Sequence, residues 1–446
     1  MEYYIDNTKK NTIQDGTKDN PFITFTSALK TIKTSAAKTT IWVNGIFNEV
    51  VKWNINNTEI KPITPETAID GRYLLPSGTT RIGAEKLEGN DRPLVLITGN
   101  DILWSIKIIN SRGRGIQVGG NANNSFNNVI IDNAIIQGCR TAAIDARNGT
   151  SLTISNNSIF DTSNYNTKVR DSAKYNYAGS IKTLSVDGLL VFNNKIFNHY
   201  GNVLTPSRGT KNVIIRNNEI FDCWGSLIYL HFVNTCEVYE NKIYYTPTWQ
   251  QSKHAGVVVN NEEEFVNEGS IPGNIIIRNN YILGVDNGIA LWGNEGADVI
   301  TTNIDIFSNV IVNTSDSAIL VRDGKKVKNV NIHDNILSVD KSQTPIKVSG
   351  GYTELTFNKN GFTVKPIAEV SSKEDFIVPQ SSFTTVNSAQ ELIAEVDKLY
   401  KTPEPIDPNL EVKAAIKTII TTFIENQTEA ITQLQVLVEE QIAKLK

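Results

Sequence analysis

The sequence predicts an all-β chain folded as a parallel β-helix, a solenoid made of stacked coils of short strands. An asparagine recurs next to short apolar runs at a base interval of about 24 residues, which lies in the range of solenoid repeats. A second apolar strip precedes each recurrence, and the predicted strands are short and rich in β-branched residues. Short strands stacked roughly 4.8 Å apart build a parallel β-helix rather than a helical repeat.

The recurring asparagines are interpreted as corners between strands. One copy is the segment KNVIIRNNEIFDC, residues 211–223, in which an Asn pair interrupts an apolar run. Asparagine is the non-glycine residue that best tolerates the left-handed backbone of a sharp corner, and stacked copies can form a hydrogen-bonded ladder. These side chains are therefore predicted to be scaffold rather than chemistry: Asn133, Asn157, Asn194, Asn218, Asn241, Asn280, Asn309 and Asn335.

The residues before the first coil form an ordered pattern. A first strand leads to Gly16-Thr17 and Pro21-Phe22, then to a predicted helix over residues 25–33 and a strand that ends at Asn44-Gly45. This pattern resembles the N-terminal segment of right-handed β-helix proteins of the pectate-lyase-like superfamily. The resemblance covers roughly residues 2–365 and implies a right-handed coil whose open end is capped by the helix. The superfamily includes lyases, hydrolases, epimerases, phage tailspikes and non-enzymes, so it implies fold more than activity.

Four segments follow from these patterns. They are an N-terminal strand and capping helix (1–55), the β-helix (56–365), a linker with one short helix (366–409) and a C-terminal helix (410–446). The last segment has a heptad-like apolar spacing formed by Ile416, Ile420, Phe423, Ala430, Leu434 and Leu437, with Gln427 and Gln441 at two seam positions. We expect a parallel, self-associating coiled coil, a trimer with cyclic symmetry. The alternative is an amphipathic helix packed back on the solenoid.

Composition narrows the partners. The net charge is −4, so no basic field predicts a nucleic-acid or anionic-lipid partner. No apolar run approaches a membrane span, and three unrelated cysteines predict neither a disulfide framework nor a metal site. The N-terminus lacks the pattern of a secretory signal, so the expected location is a virion, or the outside of a cell reached without a classical signal peptide.

Strand alternation predicts which side chains of the first strip point outward. One predicted outward column is Gln117, Asp145, Lys182, Leu204, Tyr229, Val258, Ala290 and Leu320. A second, two residues further on, is Gly119, Arg147, Leu184, Pro206, His231, Asn260, Trp292 and Arg322. The middle of this face mixes charged and aromatic residues, and long insertions flank it. We therefore expect a carbohydrate-binding groove here, because binding residues concentrate on loops held by a rigid scaffold.

The candidate chemistry follows from the resemblance. Pectate-lyase-like enzymes use a Lys or Arg base, with calcium or another cation neutralising a uronate, so Ca²⁺ is the expected cofactor only if the chain is a lyase. The candidate catalytic residues are Lys182, Arg208, His231 and Tyr229, with His254 as a second base candidate. The candidate substrate contacts are Asp145, Arg147, Asn260, Trp292, Arg322 and Trp249. Glycoside hydrolysis needs two carboxylates, and Asp145 has no acidic partner in either column.

Three functions remain open at this point. The preferred expectation is a trimeric, virion-associated protein resembling a phage tailspike or fibre. It would contact other virion proteins and bind a host cell-surface polysaccharide, with depolymerase activity undecided. The first alternative is an extracellular polysaccharide lyase or glycoside hydrolase. The second is a non-enzymatic structural or decoration protein that uses the solenoid as a stiff spacer and needs no chemistry in the groove.

Overall fold

The structure is a computed structural model. It describes residues 1–10, 12–72, 92–163, 179–249, 253–260, 272–293, 300–322, 326–339, 343–350 and 354–362, and the backbone of 376–377. These residues form 35 β-strands, numbered in chain order, one α-helix, α1 (Phe25–Thr31), and one 3-10 helix (Ala122–Asn124). The strands pair in parallel with the strands one coil before and one coil after, on three faces of a solenoid. The predicted parallel β-helix is confirmed.

The first face contains β4 (Val51–Trp53), β7 (Val95–Ile97), β10 (Ile116–Gly119), the first parts of β13 (Ile144–Ser155) and β15 (Ile181–Phe192), β17 (Leu204–Ser207), β20 (Ile228–His231), β23 (Val257–Asn260), β26 (Asn287–Trp292), β29 (Ser317–Arg322) and β32 (Ile346–Val348). The second face contains β1 (Glu2–Asp6), β2 (Thr39–Asn44), β5 (Thr58–Pro62), β8 (Ile102–Trp104), β11 (Phe126–Asp132), the later parts of β13 and β15, β18 (Lys211–Arg216), β21 (Asn234–Tyr239), β24 (Gly273–Arg278), β27 (Thr301–Phe307), β30 (Val327–His333) and β33 (Leu355–Asn358). The third face contains β3 (Ile46–Phe47), β6 (Ala68–Asp70), β9 (Lys107–Ile109), β12 (Ile135–Gln137), β14 (Ser158–Thr162), β16 (Lys195–His199), β19 (Glu219–Cys223), β22 (Lys242–Tyr244), β25 (Tyr281–Leu283), β28 (Val310–Thr314), β31 (Ile336–Val339), β34 (Gly361–Phe362) and β35 (Phe376–Ile377).

Two strands connect the first and second faces. β13 and β15 bend from one face to the other without a break, so the two faces form one 22-stranded sheet. The third face is a separate 13-stranded sheet. Inward side chains of all three faces, mostly Ile, Val and Leu, meet along the axis in one continuous core. Burial of these apolar columns is the main stabilising contribution, at about 25 cal/mol per Å² removed from water.

The asparagine ladder is present and buried. The Nδ2 of each member donates to the Oδ1 of the member on the next coil at 2.9–3.0 Å. The same Oδ1 accepts the backbone N–H of the preceding member. The members are Asn157, Asn194, Asn218, Asn241, Asn280, Asn309, Asn335 and Asn360.

The two asparagines of each pair have different roles. The residue directly before each ladder position has the left-handed backbone of the corner, with φ of 52–57°. Five of these corner residues are Asn and four are other types. They are Asn133, Asn156, Asn193, Asn217, Glu240, Asn279, Ser308, Asp334 and Lys359. Of the eight asparagines predicted to be corners, Asn133 is therefore at a corner, and the other seven are ladder members that follow the corner residue. Ala134 stands at the ladder level, and its N–H donates to Asn157 Oδ1 at 2.8 Å.

Helix α1 lies where the sequence predicts a helix, two residues shorter at its C-terminal end. Thr24 and Ser27 form a capping box, and the Glu49 carboxylate accepts the N–H groups of Phe25 and Thr26 at 2.7 and 3.1 Å. These bonds satisfy donors that the first turn of a helix leaves without partners. Phe25 is buried against Trp53 and other aromatic rings of the core. Its predicted role as a cap on the open end of the solenoid stays a prediction.

The predicted register of one strand of the first face, β17, is wrong by one residue. Leu204, not Val203, pairs with Ile181 and Ile228 and points inward. A shift of one residue exchanges the two faces of a strand. Leu204 and Pro206 are therefore wrongly placed in the outward columns, and Thr205 and Ser207 take their positions.

The coils extend beyond the predicted β-helix boundaries. β2, β3 and β4 pair with β5, β6 and β7, so stacking begins before residue 56. β35 pairs with β34, inside the segment 366–409 that was predicted to be a linker. The rest of that linker and the predicted helix 410–446 lie outside the described residues. In the described part of the chain, no helix has the length and apolar character to cross a membrane.

Candidate functional site

The first face carries two columns of outward side chains. Pairing between strands defines column 1 as Gln117, Asp145, Lys182, Thr205, Tyr229, Val258, Ala290 and Leu320, and column 2 as Gly119, Arg147, Leu184, Ser207, His231, Asn260, Trp292 and Arg322. Each predicted site residue except Arg208, Trp249 and His254 lies in one of these columns. Arg208 directly follows Ser207, so it lies at the same edge of the face as column 2.

Asp145 is a buried carboxylate held by two arginines. It is only 2% exposed, and Arg147 forms two bonds with it, Nε to Oδ1 at 2.9 Å and Nη2 to Oδ2 at 2.8 Å. Arg114, from the turn before β10, reaches the same Oδ2 with its Nε at 2.5 Å. Two-pronged guanidinium contacts are among the stronger charge-assisted pairs, and they occupy both oxygens of Asp145. The carboxylate is therefore a structural anion that orients arginines.

Lys182 lies beside Asp145 on the next coil, and its side chain holds a proton less tightly than an ordinary lysine because its pKa is lowered. Burial lowers the pKa of Lys182 below its ordinary value of 10.5; Asp145 raises it, while Arg147, Arg208 and Arg114 lower it. Lys182 thus lies near three arginines and near one carboxylate, Asp145, that Arg147 and Arg114 already engage. A lysine with a lowered pKa can act as a base more readily than an ordinary lysine, and perturbed groups of this kind mark candidate sites. The excess of positive charge suits an anionic ligand.

A second group of side chains lies on the next coils. Asn260 Nδ2 donates to Tyr229 Oη at 2.5 Å. The Tyr229 ring lies 5.6 Å from His231 and 6.2 Å, edge-on, from Trp292. The structure therefore brings together four predicted site residues, Tyr229, His231, Asn260 and Trp292. Tyr229 and Asn260 are buried while Trp292 is partly exposed, so the indole is the member that a ligand can reach first.

Apolar side chains surround Tyr229 on the outer side of this face. Val258 and Ala290 point outward in column 1, yet both are 0% exposed and form a small cluster with Tyr229 and Ala255, separate from the main core. Removal of water strengthens electrostatic interactions nearby. Tyr229 and the neighbouring His231 and Asn260 therefore lie in a drier environment than an ordinary solvent-exposed β-sheet surface provides.

Backbone strain marks the edge of the site. Ser185, Arg208 and Phe232 occupy equivalent positions directly after column 2, and all have positive φ: 54°, 20° and 54°. Positive φ is rare for bulky side chains and costs on the order of 1–3 kcal/mol per residue. The Arg208 N–H donates to the His231 carbonyl at 2.9 Å. This bond connects the cationic coil to the aromatic coil.

The remaining predicted residues lie further away. Arg322 is exposed and pairs with Trp292, so it extends column 2 by one coil. Trp249 lies in the turn before the first face and contacts the rings of Tyr200 and Tyr245, at 5.9 and 6.1 Å. It is packed against the main core rather than grouped with Tyr229.

The second base candidate is also away from the cationic group. His254 packs against Trp224 at 5.8 Å. The insertion after β14 also contains Tyr165, Tyr175 and Tyr177, aromatic residues of a type that stacks on sugar rings, and these residues lie outside the described ones.

Sequence reasoning missed three members of this site. Arg114 was not considered, because it comes from the turn before the first face. Thr205 was hidden by the one-residue shift of β17. Phe232 occupies a corner position that is Asn148 or Ser185 in other coils, and all three residues have positive φ. A bulky residue at such a corner is unusual, but the sequence shows this only once the corner positions are known.

The described residues do not fit a calcium ion. No three His, Cys, Asp or Glu side chains converge anywhere in the described part of the chain. Calcium takes six to eight oxygen ligands, usually with several carboxylates. In columns 1 and 2 the single carboxylate is Asp145, and arginines occupy both its oxygens. Positive charge at this site comes from the cationic side chains.

A second groove, of about 640 Å³, lies on the second face and is lined mainly by asparagines and isoleucines such as Asn274, Asn303, Ile214 and Ile276. Its exposed asparagines bond to one another, Asn303 Nδ2 to Asn274 Oδ1 at 2.9 Å. The lining holds no lysine, arginine or histidine. Because the cationic side chains lie on the first face, that face is the better candidate for binding an anionic ligand.

A family model described as "Right handed beta helix region" matches residues 73–267. The fold is a right-handed parallel β-helix. No curated protein sequence matches the chain. Solved structures similar to it include "Structure of PL6 family alginate lyase AlyGC", at 15% identity and TM-score 0.49 over 85% of this chain and 53% of that one. Others are a XylC complex with xylose (11% identity, TM-score 0.46, 84% of this chain and 86% of that one) and the A-module of Azotobacter vinelandii mannuronan C-5 epimerase AlgE4 (11%, 0.41, 86% and 100%). We infer no activity from likenesses this remote.

Proposed function

We propose that the chain binds an acidic polysaccharide along the first face. The observation that carries this proposal is the position of Lys182 among three arginines, Arg114, Arg147 and Arg208, where the one neighbouring carboxylate, Asp145, is already bonded to Arg114 and Arg147. A sugar carboxylate placed at Lys182 and Arg208 would offset this charge. The partly exposed ring of Trp292, further along the same face, suits the apolar side of a neighbouring sugar.

The same geometry offers a depolymerising reaction, β-elimination at a uronate. In chains whose Lys182 has lost its proton, Arg208 would neutralise the carboxylate, which acidifies the C–H bond next to it, and Lys182 would remove the proton of that bond. The C–H electron pair then forms a C=C bond as the glycosidic C–O bond breaks, and the leaving oxygen takes a proton from solvent or from Tyr229. Hydrolysis is less well supported, since the two columns hold one carboxylate rather than the required pair.

The larger assembly is part of the proposal. We place the chain as a homotrimer in a virion, resembling a tailspike or fibre that contacts other virion proteins and a host cell-surface polysaccharide. The apolar spacing of residues 410–446 supports it. A free extracellular polysaccharide lyase or hydrolase is the alternative, and a structural protein without groove chemistry is the second alternative.

Binding is tested with a panel of polysaccharides. We expect the wild-type chain to bind an acidic polymer such as alginate or polygalacturonate and not to bind neutral dextran. Added salt should lower the affinity for the acidic polymer, because it screens the charges. Lys182→Met is expected to weaken binding roughly tenfold or more, since it removes a charge-assisted contact. Titration calorimetry gives the affinities, and ultraviolet absorbance of unsaturated products reports elimination.

A matched control comes from the same column. Lys347 follows Leu320 in register, but it lies away from Asp145 and pairs with Asp316 at 3.1 Å. Lys347→Met is expected to bind like wild type. Equal binding to dextran and alginate, or equal losses in the two variants, would reject the proposed site.

The trimer has its own test. Light scattering of the full chain should give three times the monomer mass of 49.4 kDa. A variant with charged residues at Ile420 and Leu434 should give a monomer that still binds polysaccharide, because each solenoid carries its own first face. A monomeric wild-type chain would contradict the assembly and leave the binding site intact.

A further inference from the structure

Thr205 carries a buried hydroxyl at the centre of the candidate site. It pairs with Lys182 on the preceding coil, and the register Leu204–Ile228 places it beside Tyr229 on the next. Its residue is 5% exposed, and Oγ1 has no hydrogen-bond partner among the described residues. The hydroxyl therefore lies between the cationic group and the aromatic group of the first face.

An unpaired buried hydroxyl is unfavourable in the folded chain. Leaving such a group without a partner costs on the order of 1–3 kcal/mol, and valine has nearly the same shape without that cost. Other buried threonines of the solenoid have partners: Thr183 pairs with Thr210 at 3.1 Å, and Thr162 with Ser180 at 3.2 Å. The Thr205 hydroxyl thus gives the fold nothing that valine would not give better.

The surroundings leave room for this hydroxyl. A Cβ added at Gly179 would lie 2.7 Å from Thr205 Oγ1 and 3.0 Å from its Cβ, closer than ordinary contacts allow. Glycine at position 179 therefore permits the Thr205 side chain to keep its present position. Lys182, on the preceding coil, and Arg208, three residues further along the same coil, are partly exposed, so a ligand arriving from solvent meets two cations next to Thr205.

We propose that Thr205 Oγ1 hydrogen-bonds to the bound polysaccharide and determines specificity for it. The inference rests on the proposed binding function and assigns a neutral contact between the carboxylate-binding cations and the ring-binding aromatic residues. A hydroxyl both donates and accepts, so its partner is a sugar hydroxyl or a ring or glycosidic oxygen. Such a contact discriminates between acidic polymers that share charge but differ in hydroxyl position.

The position separates Thr205 from other unpaired hydroxyls. Thr314 Oγ1, at the end of β28 on the third face, is also buried without a partner among the described residues, and Thr314 is 0% exposed. It lies outside both columns of the first face. Thr314 therefore offers a matched control, because it has the same chemistry and burial but no place in the candidate site.

The test compares Thr205→Val with Thr314→Val in the full chain. Both variants are expected to keep or slightly raise the midpoint of thermal unfolding, since each removes an unpaired buried hydroxyl. Thr205→Val alone is expected to weaken binding of the best acidic polysaccharide of the panel roughly tenfold. Thr205→Ser is expected to restore most of the affinity.

The outcomes are distinguishable. Wild-type affinity in Thr205→Val would overturn the Thr205 contact and leave the proposed function standing. A lowered unfolding midpoint in Thr205→Val would show that the hydroxyl is structural. Equal losses of binding in both variants would also reject a local contact. Absence of binding by the wild-type chain would reject the proposed function and this inference with it.

Discussion

Asn218→Ala is expected to lower the free energy of unfolding by roughly 3 kcal/mol, because it leaves several buried polar groups without partners. Asn218 Oδ1 accepts both the backbone N–H and the Nδ2 of Asn194, each at 3.0 Å. Its Nδ2 donates to the Val191 carbonyl and to Asn241 Oδ1, each at 3.0 Å. The side chain is 2% exposed, so water cannot replace these bonds. Urea unfolding followed by circular dichroism measures the loss.

The neighbouring residue provides the control. Asn217 is exposed and holds the left-handed corner with φ 54°, which glycine adopts without steric cost. Its side chain accepts one exposed bond, from Arg216 Nη1 at 3.2 Å. Asn217→Gly is therefore expected to change the unfolding free energy by only about 0.5 kcal/mol or less. Similar losses in the two variants would contradict the division of roles between ladder and corner.

Periodicity made the coil architecture predictable. Each coil repeats the same pattern, so errors in one copy are corrected by the others, and the inward residues of seven coils in the first strip were placed correctly. The exception is β17, because the apolar residue Val203 directly precedes its first residue, Leu204, and alternation alone cannot choose between these two neighbours. Pairing with Ile181 and Ile228 makes the choice, and pairing is a property of the stack.

The ladder shows a second limit of the sequence. In Asn217-Asn218 both residues are asparagine, so composition cannot separate the corner from the buried position. Only the structure shows that the buried amide is the more regular feature, since Glu240 and Lys359 also serve at the corner. The ladder position needs an amide, which donates and accepts at once, whereas the corner needs only a tolerated left-handed φ.

Strand alternation predicted the positions of several side chains of the candidate site, but it could not predict their contacts. Alternation placed Lys182, Tyr229 and His231 on one outward face, but their environment depends on residues far away in sequence. Arg114 reaches Asp145 from the turn before an earlier coil, and that contact converts Asp145 from a candidate ligand contact into a saturated anion. Burial of an outward face, as at Val258, has no signature in a strand pattern.

Asp145→Asn is expected to destabilise the chain by about 3 kcal/mol or more, because removing one partner of a buried ion pair leaves the other charges uncompensated. The amide keeps the shape of the carboxylate but not its charge. Arg147 and Arg114, which bond to Asp145 in the wild type, would then lie near the Lys182 ammonium with no anion beside them. Chemical unfolding near neutral pH measures the effect.

The pH dependence of this loss identifies Lys182 as part of the cluster. Folding lowers the pKa of Lys182 below 10.5, so the unfolded chain holds that proton more tightly, and stability rises as pH increases through the folded pKa toward 10.5. Asp145 raises the pKa of Lys182, so Asp145→Asn lowers it further and increases the cost of protonated Lys182 at neutral pH. The difference in unfolding free energy between wild type and Asp145→Asn should therefore become smaller at alkaline pH.

A double-mutant cycle gives a second test. Adding Lys182→Met to Asp145→Asn should recover part of the unfolding free energy that Asp145→Asn loses at neutral pH. If the loss of unfolding free energy in Asp145→Asn is constant with pH and is unaffected by Lys182→Met, the side chains of Asp145 and Lys182 do not interact.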